Sequence, residues 1–411
     1  MFVAGLLLLA GTQGSAAIGL SSLFVAMMVG SILLGLPGGA LADRLGAGRA
    51  LVLGAIGRTL VIAVALGTAG QPHALPIIAF AYSAISQLYT PAELALVRTV
   101  APHRPAGAHT LLVALQHAGQ GIGILVLAPA AFFLGGAEAM IGAGLVTWIG
   151  VSGLAMLIAR SGLLAQPVGT MRRAVNFAGT FRYFTQDPHA AYAAPVIAFS
   201  EMAAKATIIA LPLYLAHDLR LDALEPAAIL IPGAVGALLG LVWAGRVLHL
   251  QLAPQAMRLT LAGTAVSAVA LAGLGNGIAF LSGVADLGPI GYFQNAIHLS
   301  VAVALPVALL LGMCFIVAPI AARTVLTATA PPGEQGRVFA TQGMLTDVLA
   351  IVPLVIAGVG AELAGARATF LFLGALGAAL FVGLEMVRMR KADAVPLRPR
   401  LEGAAGQATE A

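Results

Sequence analysis

One short polar stretch, Gly39-Ala-Leu-Ala-Asp43-Arg44-Leu-Gly46-Ala-Gly-Arg49, lies between two long apolar segments and is the strongest local indication of the fold. A glycine such as Gly39 lets two helices approach each other closely in a membrane. The adjacent Asp43 and Arg44 can pair across a tight turn, and Gly46 permits a backbone angle that other residues avoid. The stretch therefore predicts a tight, charged turn that joins two membrane-spanning helices.

The composition supports this interpretation along the whole chain. Of the 411 residues, 60% are hydrophobic and 9% are charged, whereas about 25% are charged in an ordinary soluble domain. Since a membrane-spanning helix takes about 20 apolar residues, the apolar content is enough for roughly twelve spans. The 21 basic residues form no patch or aromatic-interleaved stripe, which argues against a nucleic-acid partner. The sequence therefore predicts an all-α integral membrane protein.

Hydropathy and helix breakers divide the chain into apolar segments that we number as spans one to twelve. The segments are 2–11, 18–41, 50–68, 74–100, 110–134, 140–159, 190–215, 227–248, 259–281, 297–322, 338–361 and 368–387. The first segment is too short to cross a bilayer, so we expect that the cytosolic part of span one is missing from this chain. A signal peptide is the alternative, but the segment has no basic region before it.

The chain falls into two halves, which resemble each other. The Gly-to-Arg endings of spans two and eight, 38–44 and 240–246, lie 202 positions apart, and such a repeat predicts two pseudo-symmetric six-helix bundles. We place these bundles at 1–160 and 190–390. In the polar connection 161–189, aromatic residues at helical spacing beside arginines predict an interfacial helix, with a solvated linker as the alternative. The aromatic residues are Phe177, Phe181 and Phe184. The tail 391–411 is predicted to be a disordered cytosolic segment.

The basic residues predict the orientation of the chain in the membrane. If the turn at Asp43 faces the cytosol, 17 of the 21 basic residues lie on the cytosolic side. Of the other four, Arg220 and Arg367 lie on the opposite side of the membrane, and Arg58 and Lys205 lie within spans. This distribution follows the positive-inside rule for a protein of the inner or plasma membrane with both termini in the cytosol. Arg58 is expected to extend its side chain to the cytosolic headgroups.

The turn at 39–49 resembles the signature between helices two and three of the major facilitator superfamily. Twelve spans, a long central connection and cytosolic termini are also features of that family, and 331–339 is similar to the loop before helix eleven in its bacterial drug- and siderophore-exporter members. The resemblance implies transport by alternating access between two bundles. It also implies a cytosolic gate, which we assign to Gly39, Asp43, Arg44, Gly46, Arg49, Glu93 and Arg98. Glu93 would pair there with one of the arginines or contact substrate.

Polar groups within the spans are the candidates for a substrate or proton site, because ionisable groups are costly at bilayer depth. Glu201 and Lys205 lie four residues apart on one face of span seven and are expected to neutralise each other as an ion pair that lines a cavity or orders the bundle. Asp347 could take up a proton if burial raises its pKa. The other candidates, for which helix packing is the alternative role, are Gln87, Tyr89, Gln116, His117, Gln120, Gln342 and Thr346.

The sequence contains no motif for ATP-driven transport or hydrolysis. A phosphate-binding loop ends in Gly-Lys, but the two lysines, Lys205 and Lys391, follow an alanine and an arginine. We therefore expect no enzyme activity, no metal site and no cofactor, with proton coupling left open. The predicted function is secondary active export of a small amphiphilic molecule, metabolite or drug by a monomer that contacts membrane lipids. The alternatives are lysophospholipid transport and a transport-dead receptor or scaffold.

Overall fold

A computed structural model describes residues 2–11, 16–69, 71, 73–100, 115–116, 119, 122–123, 127–161, 177–218, 227–285, 296–330 and 335–390, and every regular element within these ranges is helical. Eight of the described helices are long and apolar enough to cross a membrane. Two shorter apolar helices, Phe2–Gly11 and Ile231–Val247, add to them. The predicted class, an all-α integral membrane protein, is confirmed, and the helix count is consistent with twelve spans.

The chain divides into two compact units, Met1–Ala174 and Val175–Ala411. The helices of the first unit are α1 (Phe2–Gly11), α2 (Ala16–Leu45), α3 (Ala47–Gly67), α4 (Ala74–Val100) and α5 (Ala128–Arg160). The backbone of α5 is interrupted at Gly135 and Gly136, where Gly136 has a φ of 66°. This break is the turn between predicted spans five and six, and most of span five lies outside the described residues.

The helices of the second unit follow the predicted spans seven to twelve, preceded by one short helix. They are α6 (Phe177–Gln186), α7 (Pro188–Leu213), α8 (Ala227–Val247), α9 (Ala253–Ala285), α10 (Ala296–Thr329), α11 (Gln335–Ala364) and α12 (Ala366–Arg390). A single π-helical turn, Tyr214–Asp218, continues α7 beyond its end. The predicted tail, 391–411, lies outside the described residues.

Helix α6 packs on its own unit through two aromatic residues at its end. Phe184 is buried, and the hydroxyl of Tyr183 lies 2.7 Å from that of Thr329 at the end of α10. Burial raises the pKa of Tyr183 above its usual value, so the phenol is protonated at neutral pH and this hydrogen bond is insensitive to ordinary pH changes. The side chains of Phe177 and Phe181 lie outside the described residues, and membrane contact by α6 stays a prediction.

The signature turn is as tight as the sequence predicts, but a different glycine brings the helices together. Only Gly46 separates α2 from α3, and its φ of 80° lies in the region that favours glycine. A Cβ atom on Gly39 would meet nothing within 4 Å, whereas one on Gly38 would lie 2.8 Å from the carbonyl oxygen of Gln87 in α4. The close approach predicted for Gly39 is therefore made by Gly38, because Gly38 is on the side of α2 that faces α4.

The second unit repeats this packing. A Cβ atom on Gly240 of α8 would lie 3.0 Å from the carbonyl oxygen of Met313 in α10, and one on Gly236 would overlap the carbonyl group of Leu309. Gly38 and Gly240 are the residues related by the 202-position offset, so α2 with α4 and α8 with α10 use equivalent glycine contacts. The repeat in the sequence thus appears as a repeat in helix packing.

We expect Gly236→Ala to destabilise the second unit by about 1–3 kcal/mol, because the added methyl group forces α8 and α10 apart. The measurement is the thermal unfolding midpoint of the purified protein in detergent. Gly245→Ala is the matched control on the same helix, since its Cβ atom would meet nothing within 4 Å. Equal midpoints for the two variants would show that the glycine contact does not hold these helices together.

Candidate functional site

The first unit contains an arginine enclosed by aromatic rings. The guanidinium carbon of Arg58, in the middle of α3, lies 4.4 Å from the ring centroid of Tyr89, 4.7 Å from that of Trp148 and 5.3 Å from that of Tyr82. Its Nε donates a 3.0 Å hydrogen bond to Oγ of Ser86. We call these five residues the Arg58 cage. The prediction that Arg58 extends to the headgroups is wrong, because the rings and Ser86 hold its side chain among α3, α4 and α5.

The cage forms because α4 presents its polar stripe to a part of α3 with small side chains. Steps of four and three residues place Tyr82, Ser86 and Tyr89 on one face of α4. The absence of a side chain at Gly54 admits Tyr89, whose Cβ atom would lie 2.9 Å from a Cβ atom there. Trp148 of α5 closes the cage with an edge-on contact to Tyr89, 5.5 Å between ring centroids. The spacing of the three α4 residues can be read from the sequence, but their contact with Arg58 cannot.

Among the described residues, the cage leaves the terminal N–H groups of the guanidinium without a hydrogen-bond acceptor. Each ring face attracts the cation by about 0.5–2 kcal/mol, but a ring accepts no strong hydrogen bond from the terminal N–H groups. Ser86 is the one hydrogen-bond acceptor that contacts the guanidinium among the described residues. Glu93 attracts Arg58 electrostatically without forming an ion pair with it. The terminal N–H groups of Arg58 therefore keep their capacity to bind an anion.

Of the predicted polar residues of spans four and five, Tyr89 belongs to the cage, and Glu93 forms a hydrogen bond with Gln116. Oε2 of Glu93 accepts a 3.1 Å hydrogen bond from Nε2 of Gln116. The predicted pairing of Glu93 with Arg44 or Arg49 is not found in the described part of the chain, where both arginines are exposed. Gln87 packs against α2 and bonds weakly to its own helix, 3.4 Å from the carbonyl of Ser83. His117 and Gln120 lie outside the described residues, as do the side chains of Asp43 and Arg98.

Four charged side chains on three helices of the second unit form two ion pairs. Nη2 of Arg323 in α10 lies 2.9 Å from Oε1 of Glu201, and Nζ of Lys205 lies 3.8 Å from Oδ1 of Asp347 in α11. The predicted ion pair between Glu201 and Lys205 is therefore wrong, because each of these residues reaches across to another helix. We call the four residues the charge network. Arg323 was assigned to a cytosolic turn, but α10 continues to Thr329 and keeps it within the helix.

The charge network is accessible rather than sealed. The exposed fractions of its side chains are 31% for Glu201, 36% for Arg323, 25% for Lys205 and 18% for Asp347. A charge that faced lipid at this depth would cost about 2.5–3.5 kcal/mol. We therefore expect the network to face a water-accessible space. It offers two cations and two carboxylates that can exchange partners with a proton or an ionised ligand.

The remaining predicted residues of span eleven are inside the protein. Gln342 and Thr346 are buried, and Nε2 of Gln342 donates a 2.8 Å hydrogen bond to Oγ1 of Thr346. One turn of α11 thus satisfies its own polar groups, which favours the helix-packing role over substrate contact for both residues. Asp347 is adjacent to this bonded pair, which orders the helix that carries the carboxylate.

Two further ion pairs fix the ends of the second unit. Nη1 of Arg258 lies 3.8 Å from Oε2 of Glu385, whose Oε1 accepts a 3.4 Å hydrogen bond from the hydroxyl of Tyr192. At the opposite end, Nε of Arg367 lies 2.5 Å from Oδ1 of Asp218 in the π-helical turn. These contacts join α7 to α9 and α12. No sequence spacing indicated them, because their partners come from distant segments.

Comparison with known proteins identifies the family. The Major Facilitator Superfamily model matches residues 1–352. The chain belongs to the Major Facilitator Superfamily. No curated protein matches it in sequence. As a member of this superfamily it is a membrane transporter and not an enzyme, whereas the match to the superfamily does not distinguish the exporter branch from the others.

Solved structures show the same fold at low sequence identity. One is a bacterial homologue of the iron transporter ferroportin in an outward-facing state with soaked iron, with a TM-score of 0.60, 17% identity and coverage of 95% of this chain and 94% of that chain. The nucleoside transporter NupG gives a TM-score of 0.62 at 12% identity, with 94% and 93% coverage. The peptide transporter POT in complex with alafosfalin gives 0.52 at 17% identity, with 95% and 92% coverage.

Proposed function

We propose that this transporter is a secondary active exporter of a small amphiphilic organic molecule that carries an anionic group. The observation that carries the proposal is the Arg58 cage, in which a guanidinium with open N–H groups lies among three aromatic rings. Planar N–H forks bind carboxylates and phosphates with two parallel hydrogen bonds. The rings bind the flat apolar part of the same molecule.

The charge network is the proposed coupling site. Protonation of Glu201 or Asp347 would weaken its ion pair with Arg323 or Lys205 and so change the contacts among α7, α10 and α11. Proton uptake would thereby be linked to a rearrangement of these helices during the transport cycle. The cytosolic termini rest on the positive-inside distribution of the arginines. The outward direction rests on the resemblance of 331–339 to exporter sequences.

Lysophospholipid transport is the second candidate, because the same cage could bind a lipid phosphate. A single-chain lipid needs an apolar path beside its headgroup, while a small aromatic acid needs only the rings of the cage. A transport-dead receptor or scaffold would bind ligand without moving it. These three functions differ in what they transport, so a binding assay followed by a flux assay separates them.

Ligand binding can be measured by the fluorescence of Trp148. The chain has two tryptophans, so Trp243→Phe leaves Trp148 as the one fluorescent indole, 4.7 Å from the guanidinium. We expect naphthoate to quench this fluorescence saturably, and adenosine and tetraphenylphosphonium to have no saturable effect. Uptake of naphthoate into inside-out vesicles under a proton gradient then tests export. Saturable binding of the cation in place of the anion, or binding without uptake, would contradict the proposed function.

A further inference from the structure

A groove runs along an exposed face of the first unit between α3 and α5. It consists of two adjoining cavities of about 380 and 290 Å³ that share Met156 as a lining residue. From one end to the other, the lining residues of α3 begin at Arg49 and end at Leu60, and those of α5 begin at Arg160 and end at Ile149. At 1.5 Å per residue, eleven residues make the groove about 16 Å long, which is about half of the 30 Å hydrocarbon core of a bilayer.

The groove is apolar along its length. Its two hydroxyl groups, on Thr59 and Ser152, lie 2.9 Å apart, and the Thr59 hydroxyl also contacts the carbonyl oxygens of Ala55 and Trp148. These polar atoms are satisfied within the protein and require no polar ligand. A Cβ atom on Gly153, on the groove floor, would meet nothing within 4 Å. The groove therefore has the lining and the free space for a hydrocarbon chain.

Positive charge is concentrated at one end of the groove. Arg49 is in the first turn of α3 and Arg160 is the last residue of α5, and both are exposed. Among the described residues, no carboxylate lines either cavity, and neither arginine belongs to one of the ion pairs found there. The N-terminus of α3 adds the positive end of its helix dipole beside Arg49. The two arginines therefore form a positively charged end of the groove that can attract an anion.

We propose that this groove binds an anionic phospholipid of the surrounding bilayer, with its phosphate between Arg49 and Arg160 and one acyl chain along α3 and α5. The charge, the apolar lining and the length of one leaflet all fit that occupant. Basic pockets between membrane helices bind acidic lipid headgroups in this manner. Because Arg49 ends the signature turn, the lipid would anchor that turn at the membrane surface. The site is separate from the Arg58 cage and does not depend on the transported substrate.

The test is native mass spectrometry of the purified protein with phosphatidylglycerol and phosphatidylcholine of the same acyl chains. At about 1 kcal/mol for each arginine, we expect phosphatidylglycerol to bind roughly 30-fold more tightly than phosphatidylcholine. The double variant Arg49→Gln with Arg160→Gln should lose this preference. The control is Arg182→Gln with Arg246→Gln, which removes the same charge from exposed positions of the second unit and should keep the preference.

A second pair of variants tests the acyl-chain path. Gly153→Phe should fill the groove and weaken retention of both lipids, while Gly150→Phe, an exposed glycine of the same helix outside the groove, should not. Unfolding midpoints show that the variants are folded. The proposal is overturned if the wild type does not prefer phosphatidylglycerol, if the double variant keeps the preference, or if Gly153→Phe retains both lipids normally.

Discussion

Arg58→Met is expected to lower the uptake of an aromatic carboxylate such as naphthoate by roughly 10- to 100-fold, chiefly through a higher KM. Methionine keeps an apolar stem among Tyr82, Tyr89 and Trp148 but removes the N–H groups that bind the anion. Charged hydrogen bonds of this kind are worth about 1.5–3 kcal/mol, which gives the expected factor. The uptake by Arg58→Lys should lie between that of the wild type and that of Arg58→Met, because an ammonium keeps the charge but lacks the planar N–H fork.

The measurement is uptake into proteoliposomes together with quenching of Trp148. Val64→Met is the matched control, since Val64 is an exposed residue of α3, 57% accessible, outside both the cage and the groove. Arg58→Met should keep a near-normal unfolding midpoint, because the rings close over an apolar side chain. If the arginine only holds the helices together, the midpoint falls and the KM of the remaining folded protein is unchanged.

Glu201→Gln is expected to lower proton-coupled uptake by more than tenfold. The carboxylate that pairs with Arg323 at 2.9 Å becomes an amide that neither neutralises the guanidinium nor takes up a proton. Exchange of labelled for unlabelled substrate across the membrane needs no net proton movement. Its rate should therefore fall less than the rate of uptake driven by a pH gradient. The ratio of the two rates is the measurement that separates coupling from binding.

Exchanging the paired residues distinguishes a structural role from a coupling role. The double variant Glu201→Arg with Arg323→Glu restores the ion pair, so it should recover the unfolding midpoint. If the pair is purely structural, uptake returns as well, whereas a coupling role for Glu201 leaves uptake impaired because the carboxylate is now on α10. Arg258→Gln, which breaks the more distant pair with Glu385, is the control and should leave the uptake-to-exchange ratio unchanged.

The sequence alone determined the class of the protein, its division into two repeated halves and the tight turn at Gly46. These properties are readable because they depend on local physics. A membrane helix must satisfy its own backbone hydrogen bonds and bury about 20 apolar residues, so each span appears as a continuous segment. A one-residue turn between two helices requires a positive φ, and glycine is the residue that adopts it readily.

Which polar residues contact each other depends on the tertiary structure and could not be predicted from the sequence. The four-residue spacing of Glu201 and Lys205 places them on one helix face, but their partners, Arg323 and Asp347, come from α10 and α11. Arg58 follows no motif, and its cage exists because Gly54 lets Tyr89 approach α3. Such contacts depend on helix rotation and approach distance, which long-range packing sets and hydropathy does not encode. For the same reason, the glycine of α2 that contacts α4 is Gly38 and not Gly39.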